Sequence, residues 1–547
     1  MEFLKVLSCS LMFIATISFV DGHLSENNTL PKHYNIEFTL YNDENIFYGE
    51  YNVSIYFPHK AQEIYVYSEN LNITEISMTN EIFKENKEEV FTYKHNVFFM
   101  YTEIYITIIS IPYNVRNFLG LYNLNMKFKG SLAENGGFKT FYMNQQNSKI
   151  WIAATHYDSK LATRKLFPLL CNTIYASYNI SVKHHKNYTA LSNMPVREVE
   201  MDENNMQWTR FKPTPVMPVY FIALIVGDFT LISETNQSVK MWYRTGILPR
   251  VQFAYTVAKN VTLFLKNILP DIRKTSEINH VAIPNLLTEE EIKLGFILYR
   301  EADIIFDKET DTEARKIEIT RLIGYRVVHE WFYNKINLSE WQPWIHKGFA
   351  MFFGICVIDK SFPHLGIQDF FVVQMQHELL HWYTEGIWPL NSGVNSSIEI
   401  PRYIKASIVF RTLQNALTEE AFWNGFKIFL RLPYVNSSDF WDIMQYVLDA
   451  SSSKIKYHLK NKITNWTQLN HYPVVNVKLN YDTNSFTIFV QNFTNIAIYV
   501  NITTLTYTNL NKTFPAFWIV PHTLYQLPSK LENNDWVLIN LQQSGKY

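Results

Sequence analysis

Residues Thr312 to Tyr333 read TEARKIEITRLIGYRVVHEWFY. Apolar residues fall three and four positions apart, the period of one helix face rather than of a strand. The same spacing runs through Val251 to Leu269 (VQFAYTVAKNVTLFLKNIL), Ile367 to Trp382 (IQDFFVVQMQHELLHW) and Tyr403 to Leu417 (YIKASIVFRTLQNAL). Residues from about 235 to about 465 therefore read as a mostly helical domain. On either side the period is two. YNVSIYF (Tyr51 to Phe57), EIYITIISI (Glu103 to Ile111) and VMPVYFIALIVGDF (Val216 to Phe229) alternate in a chain rich in Ile, Val, Tyr and Phe, and predict a large β domain. After about residue 470 the alternation returns in VVNVKLNY, SFTIFVQNF, IAIYVNITTLTY and WVLINLQQ, a second β module.

The chain has 547 residues, too many for one core, of which 47% are hydrophobic and 18% charged. That excludes a disordered chain. Only 17 residues are Gly, which argues against Gly-rich phosphate loops. Lys and Arg number 49 against 50 Asp and Glu, so no general attraction to nucleic acid or anionic membrane follows. At the N-terminus Lys5 precedes an apolar run from Val6 to Val20, and Gly22 suits a cleavage position. The run is short for a spanning helix, so residues 1–22 read as a signal peptide and the chain as secreted, with membrane attachment the less favoured reading. No transmembrane segment is expected after the signal.

Fourteen N-x-S/T triplets fit that route and predict N-linked glycans: Asn27, Asn52, Asn72, Asn179, Asn187, Asn236, Asn260, Asn337, Asn395, Asn436, Asn465, Asn492, Asn501 and Asn511. Of three cysteines, Cys9 leaves with the signal, and Cys171 and Cys356 are too few for a disulfide framework.

Two stretches can carry chemistry. His377-Glu378-Leu379-Leu380-His381 places two imidazoles on one helix face, with a carboxylate between them, the spacing of a zinc pair and its general base. No third ligand accompanies it convincingly. The second stretch is His329-Glu330-Trp331-Phe332-Tyr333-Asn334, followed by Trp344-Ile345-His346-Lys347-Gly348-Phe349-Ala350. It resembles the zinc-site segment of the aminopeptidase N family, H-E-L-A-H-Q-W-F-G-N then L-W-L-N-E-G-F-A. Val281-Ala282-Ile283-Pro284, Gly295 to Glu301, Ala190-Leu191-Ser192-Asn193-Met194-Pro195-Val196 and Thr163 to Pro168 fall where that family has its own motifs, in the same order.

The resemblance implies a multidomain chain: an N-terminal β-saddle domain (23–232), a thermolysin-like mostly helical α+β peptidase domain (233–467) and a C-terminal β-sandwich (468–547). On the same alignment the sequence is expected to stop near the sandwich's last strand and before the family's C-terminal helical domain, as either a short protein or a part of a longer one. It also implies a reaction, release of N-terminal residues from peptides by zinc-bound water.

Position by position, the chemistry departs from the family. With His329 aligned to the second zinc histidine, Tyr325 stands at the first and Arg326 at the general base. Lys347 stands at the acidic ligand, Ile292 at the amine-binding glutamate and His156 at a substrate-contacting glutamine. Tyr403 matches the transition-state tyrosine. Zinc needs three ligands of the His, Cys, Asp or Glu type. An ammonium repels a dication, and a guanidinium with a pKa above ~12 is no base.

The expectation is an inactive, peptide- or protein-binding member with no cofactor. The alternative is an active zinc-dependent aminopeptidase, using either a trio shifted to His346 and Glu330 or the His377/Glu378/His381 helix. Arg326 and Lys347 also make the cleft basic, which predicts a preference for carboxylates over free amines, unless both pair internally with Glu289, Glu290, Glu291 or Glu301.

Overall fold

The computed structural model describes residues 30–539 apart from 42–45, 58–62, 81–88, 91–92, 97–103, 111–119, 133–138, 145, 156–159, 171–174, 235–237, 270–274, 287–291, 334–342, 374–398, 433–436, 451–457, 461–473, 484, 492–497, 501, 507–508, 514–516, 520–523 and 527–535. The signal segment, His156, Cys171 and the His377/Glu378/His381 motif lie outside the described residues. Chain contacts divide the molecule into two compact units, Met1–Pro249 with Lys274–Ile304, and Arg250–Arg273 with Ile305–Tyr547.

The first unit is β-rich. Its large sheet runs in the order Val196–Met201, Met206–Phe211, Tyr175–His185, Leu30–Leu40, Ile46–Phe57, Gly120–Ser131, Leu71–Asn80 and Glu89–Val90, with Met217–Pro218 pairing on Tyr175–His185. The Leu30–Leu40 and Tyr175–His185 strands run parallel. Along Ile46–Phe57 buried and exposed positions alternate, so Phe47, Tyr51, Val53, Ile55 and Phe57 face the core. Aromatic rings fill that face. Tyr34 stacks on Tyr178 with centroids 5.4 Å apart, and Phe167 meets Tyr34 at 5.9 Å and Tyr51 at 6.1 Å.

Val216 to Phe229 is not one alternating strand. Pro218 fixes its own φ at -65° and leads into a 3-10 turn, Val219–Phe221, before the Leu224–Gly227 strand begins. Leu224–Gly227 belongs to a four-stranded sheet with Thr189–Ser192, Lys149–Ala154 and Lys139–Met143. A five-stranded sheet follows, in the order Thr230–Ile232, Val239–Tyr243, Ile278–Ile283, Phe296–Arg300 and Ile292–Lys293. All of these strands but Thr230–Ile232 fall in a stretch whose period reads as mostly helical. Every residue of Ile278–Ile283 is buried, so no alternation marks it.

Asn193 ties this region together. Its amide donates to the carbonyls of Phe221 at 2.8 Å and Leu294 at 2.7 Å, and its oxygen accepts from the Ala223 N–H at 2.8 Å.

The second unit contains the helices α1 (Leu248–Ile268, from Arg250 on), α2 (Glu313–Tyr333), α3 (Pro343–Ser361), α4 (Glu399–Leu417), α5 (Glu419–Arg431) and α6 (Ser437–Ala450). Their inner faces carry Phe332, Phe349, Phe353, Phe410 and Phe426. Phe349 stacks on Phe426 with centroids 4.5 Å apart. Two glycines let the helices close up. A Cβ on Gly324 would meet the Ile358 side chain, and one on Gly348 would overlap Ala406. After the last of these helices come short strands from Val474–Asn480 to Trp536–Ile539, in sheets of two or three. No single helix among the described residues is long and apolar enough to cross a membrane.

Candidate functional site

Three helices of the second unit, α2, α3 and α4, present the residues singled out in the sequence. On α2, Tyr325 and His329 lie four residues apart and therefore share a face. Their rings stack with centroids 5.4 Å apart and 26° between planes. On α3, His346 meets the same imidazole. His329 Nε2 lies 3.3 Å from His346 Nδ1, one nitrogen donating to the other, and the two rings are nearly parallel at 14°.

Burial strips water from His329, which is 4% exposed, and pushes its pKa well below the ordinary histidine value. His346, Lys347 and Arg326 add to the shift. The ring is neutral at pH 7.

Lys347, the next residue along α3, points to a different target. Its ammonium donates to the Tyr403 hydroxyl at 2.8 Å and lies 4.6 Å from the centre of that ring. Tyr403 is buried on α4. Arg326 is 5% exposed, and its guanidinium carbon lies 5.9 Å from the Tyr325 ring centre. Among the described residues its Nε and Nη1 have no hydrogen-bond partner. Glu330 is fully buried one turn along from Arg326.

Tyr325, Arg326, His329 and Lys347 thus come together with Tyr403. The shifted trio of His329, Glu330 and His346 gains one contact, His329 to His346. Among the described residues no group of three His, Cys, Asp or Glu is placed to hold a metal. Ile292 lies in the Ile292–Lys293 strand of the first unit, paired with Ile297. Glu301, one of the acids considered as an internal partner, accepts from Arg244 Nε on both oxygens, at 3.0 and 2.8 Å. Glu289, Glu290 and Glu291 lie outside the described residues.

The donor set does not suit zinc. On the family alignment, Lys347 opposite Tyr403 brings an ammonium to the acidic-ligand position, Arg326 a guanidinium to the base position and Tyr325 a phenol to the first ligand position. A dication beside a guanidinium and an ammonium is repelled, and a neutral phenol is a poor ligand at pH 7.

A second feature of the helical unit has no counterpart in the sequence reading. A cavity of about 830 Å³ is lined by Phe264, Phe352, Cys356, Arg411, Trp423 and neighbours. Burial pushes the Cys356 thiol up to about 12, so it is protonated and unreactive. The cavity's lining comes from well-separated helices, and no local pattern could have announced it.

Two sequence profiles match the chain, that of the Peptidase M1 N-terminal domain over residues 30–221 and that of the Peptidase family M1 domain over residues 272–466. Glutamyl aminopeptidase of Mus musculus is 27% identical over 476 residues, covering 82% of this chain and 48% of that protein. Aminopeptidase N of Bos taurus is 26% identical over 476 residues, covering 78% and 47%. Aminopeptidase Q of Homo sapiens is 24% identical over 461 residues, covering 78% and 46%. The chain spans about half the length of these relatives. With both profiles matched in order, and aminopeptidases as its relatives, the chain belongs to the M1 family, whose members are normally zinc metallopeptidases.

Proposed function

We propose that this chain is a binding member of the M1 family that has lost its catalytic chemistry and engages peptides or proteins without cleaving them. The Lys347–Tyr403 hydrogen bond of 2.8 Å carries this reading. The residue aligned with the acidic zinc ligand is an ammonium, and it is already tied to the tyrosine hydroxyl that the family uses on its transition state. Arg326 at the base position cannot take a proton from water. Without a metal, water keeps the high pKa of bulk water and supplies no hydroxide at neutral pH.

The test is direct. Purified protein is assayed on aminoacyl-anilides with and without added zinc, and its metal content is measured. Neither turnover nor zinc is expected. Chelator-sensitive turnover at ~1 s⁻¹, an ordinary enzyme rate, overturns the reading.

A second reading, an active zinc enzyme, has one observation in its favour. Zinc–nitrogen bonds of ~2.0 Å at tetrahedral angles set two ligand nitrogens about 3.3 Å apart. His329 Nε2 and His346 Nδ1 are at that separation. Against it stand the two cations facing His329 and the lack, among the described residues, of a third ligand. About one zinc per chain, lost in His346→Ala, would favour this second reading.

We also infer a secreted, N-glycosylated protein, supported by the N-terminal apolar segment and the sequons. Among the described sequons, Asn72 and Asn187 are exposed. Asn52 and Asn179 are half-buried in strands, where their amides bond Asn125 and Asn35.

A further inference from the structure

We infer that the pocket around Arg326 and Lys347 is a carboxylate site, which receives the C-terminal or side-chain carboxylate of a bound peptide where the family holds a cation. This rests on the reading that no zinc is bound there, and it names the ligand class that such a site takes.

Arg326 is the first reason. A guanidinium has five N–H donors and cannot give up its charge. Here it is 5% exposed, and two of its donors, Nε and Nη1, have no hydrogen-bond partner among the described residues. Glu330, buried one turn along α2, does not fill those two atoms. Buried charged donors are ordinarily matched, because an unmatched one gives up its hydration without recompense. The Tyr325 ring face at 5.9 Å is a weak partner for a cation that has left water.

The charge balance is the second reason. Lys347 keeps its ammonium against the Tyr403 hydroxyl, a neutral acceptor. His329 and His346 contact each other ring to ring, and His329 is neutral. The cluster therefore sets a guanidinium, an ammonium and two imidazoles against one buried carboxylate, Glu330, which leaves Nε and Nη1 of Arg326 unfilled. Glu301, the described member of the acids considered as internal partners, accepts both its hydrogen bonds from Arg244. An anion entering here replaces lost hydration with charge-assisted hydrogen bonds, the stronger class. A peptide's ammonium would meet repulsion from both cations.

Titration calorimetry with matched tripeptides tests this. One peptide is N-acetylated with a free C-terminal carboxylate, and one has a free amine and a C-terminal amide. A third is blocked at both ends and carries a single Glu. The acetylated, free-carboxylate peptide should bind at least ~10-fold tighter than the free-amine amide. Comparing it with the blocked Glu peptide tells a C-terminal source from a side-chain source, and tight binding of either supports the site. Arg326→Gln should erase the preference and Arg326→Lys should keep part of it.

Equal affinity for all three peptides, a preference for the free amine, or a carboxylate preference undiminished in Arg326→Gln overturns the site. Should Arg326→Gln not fold, the wild-type comparison decides alone. Zinc content and anilide turnover are measured on the same preparation. Zinc with turnover overturns the underlying reading, whereas no zinc, no turnover and no carboxylate preference overturns the carboxylate site by itself.

Discussion

Two stretches that match M1 motifs behave differently. Around Asn193, in Ala190–Val196, the matching residue serves the fold completely. One amide holds a 3-10 turn, a strand start and the loop before Phe296 through three buried hydrogen bonds. On α3 the match breaks within two residues. Gly348 and Phe349 fit the motif and serve packing, Gly348 by admitting Ala406 and Phe349 by stacking on Phe426. Lys347, beside them, departs from the motif and alters the chemistry. On α3 the packing positions keep the family pattern and Lys347 beside them does not, while His329 on α2 and Tyr403 on α4 keep it.

The packing side of that comparison breaks most visibly at Asn193. Asn193→Ala leaves two carbonyls and one N–H buried without partners. At about 1–3 kcal/mol each, the expected loss is about 3–6 kcal/mol of stability, read from the urea midpoint. Gly348→Val should do similar damage by forcing α3 away from α4. Losses under about 1 kcal/mol at both positions would show that the motif residues do not hold the fold.

Acid sharpens the comparison next, because both units hold histidines that burial keeps neutral, His280 and His184 in the first and His329 in the second. His280 is completely buried in the first unit, stacked on Tyr299 and bonded to its hydroxyl at 3.0 Å, and burial lowers its pKa to about 3. His184 is lowered in the same direction, by burial first. A lowered histidine pKa means the unfolded chain takes the proton first as pH falls. Stability is therefore full above about pH 6.5 and is lost on the way down toward 3, at about 1.4 kcal/mol per pH unit for His280. Between about pH 6.5 and 5, His280→Gln should remove about 2 kcal/mol of that pH dependence. An unchanged slope would mean that His280 does not titrate on unfolding.

The chemistry side is tested by putting the family residues back. Tyr325 and His329 already share a helix face at 5.4 Å, so Tyr325→His, Arg326→Glu and Lys347→Glu together present a two-histidine, one-carboxylate set with a base beside it. The triple variant should take up zinc and gain about 2.7 kcal/mol of stability at 100 times its dissociation constant, while the wild type shows no chelator effect. A triple variant that remains metal-free would mean that the scaffold, and not only these side chains, has drifted.

How legible this was depends on what each residue answers to. The helix of Thr312–Tyr333 was visible in its period and is observed as Glu313–Tyr333. Ile278–Ile283 and Phe296–Arg300 were not read as strands, because short segments buried on both faces carry little periodic signal, and Val239–Tyr243 alternates over only five residues. Helical spacing put Tyr325 and His329 on one face, where their rings do stack. The division of labour on α3 was only half visible: adjacent helix residues point about 100° apart, and His346 and Lys347 do reach different partners. Which partner each would find depends on how α2, α3 and α4 pack, and no local pattern encodes that. The two unfilled donors of Arg326 were equally invisible, since burial is a property of the assembled helices.

The smallest expected effect separates a leftover tyrosine from a working one. In an active enzyme, Tyr403→Phe removes a transition-state donor and turnover collapses with little change in stability. Here the hydroxyl accepts from Lys347 at 2.8 Å, and both groups pack against each other at 4.6 Å from ammonium to ring centre. A hydrogen bond to a charged group contributes about 1.5–3 kcal/mol when removal leaves the charge buried. Lys347 is partly exposed, so solvent makes up some of that and about 1 kcal/mol is expected for Tyr403→Phe. Lys347→Met should cost a similar amount. In the double variant the two losses should not add, with a coupling of about 0.5–1 kcal/mol from the thermodynamic cycle. Additive losses would show that the hydrogen bond contributes nothing. A fall in measurable peptidase turnover on Tyr403→Phe would show that the tyrosine still serves catalysis.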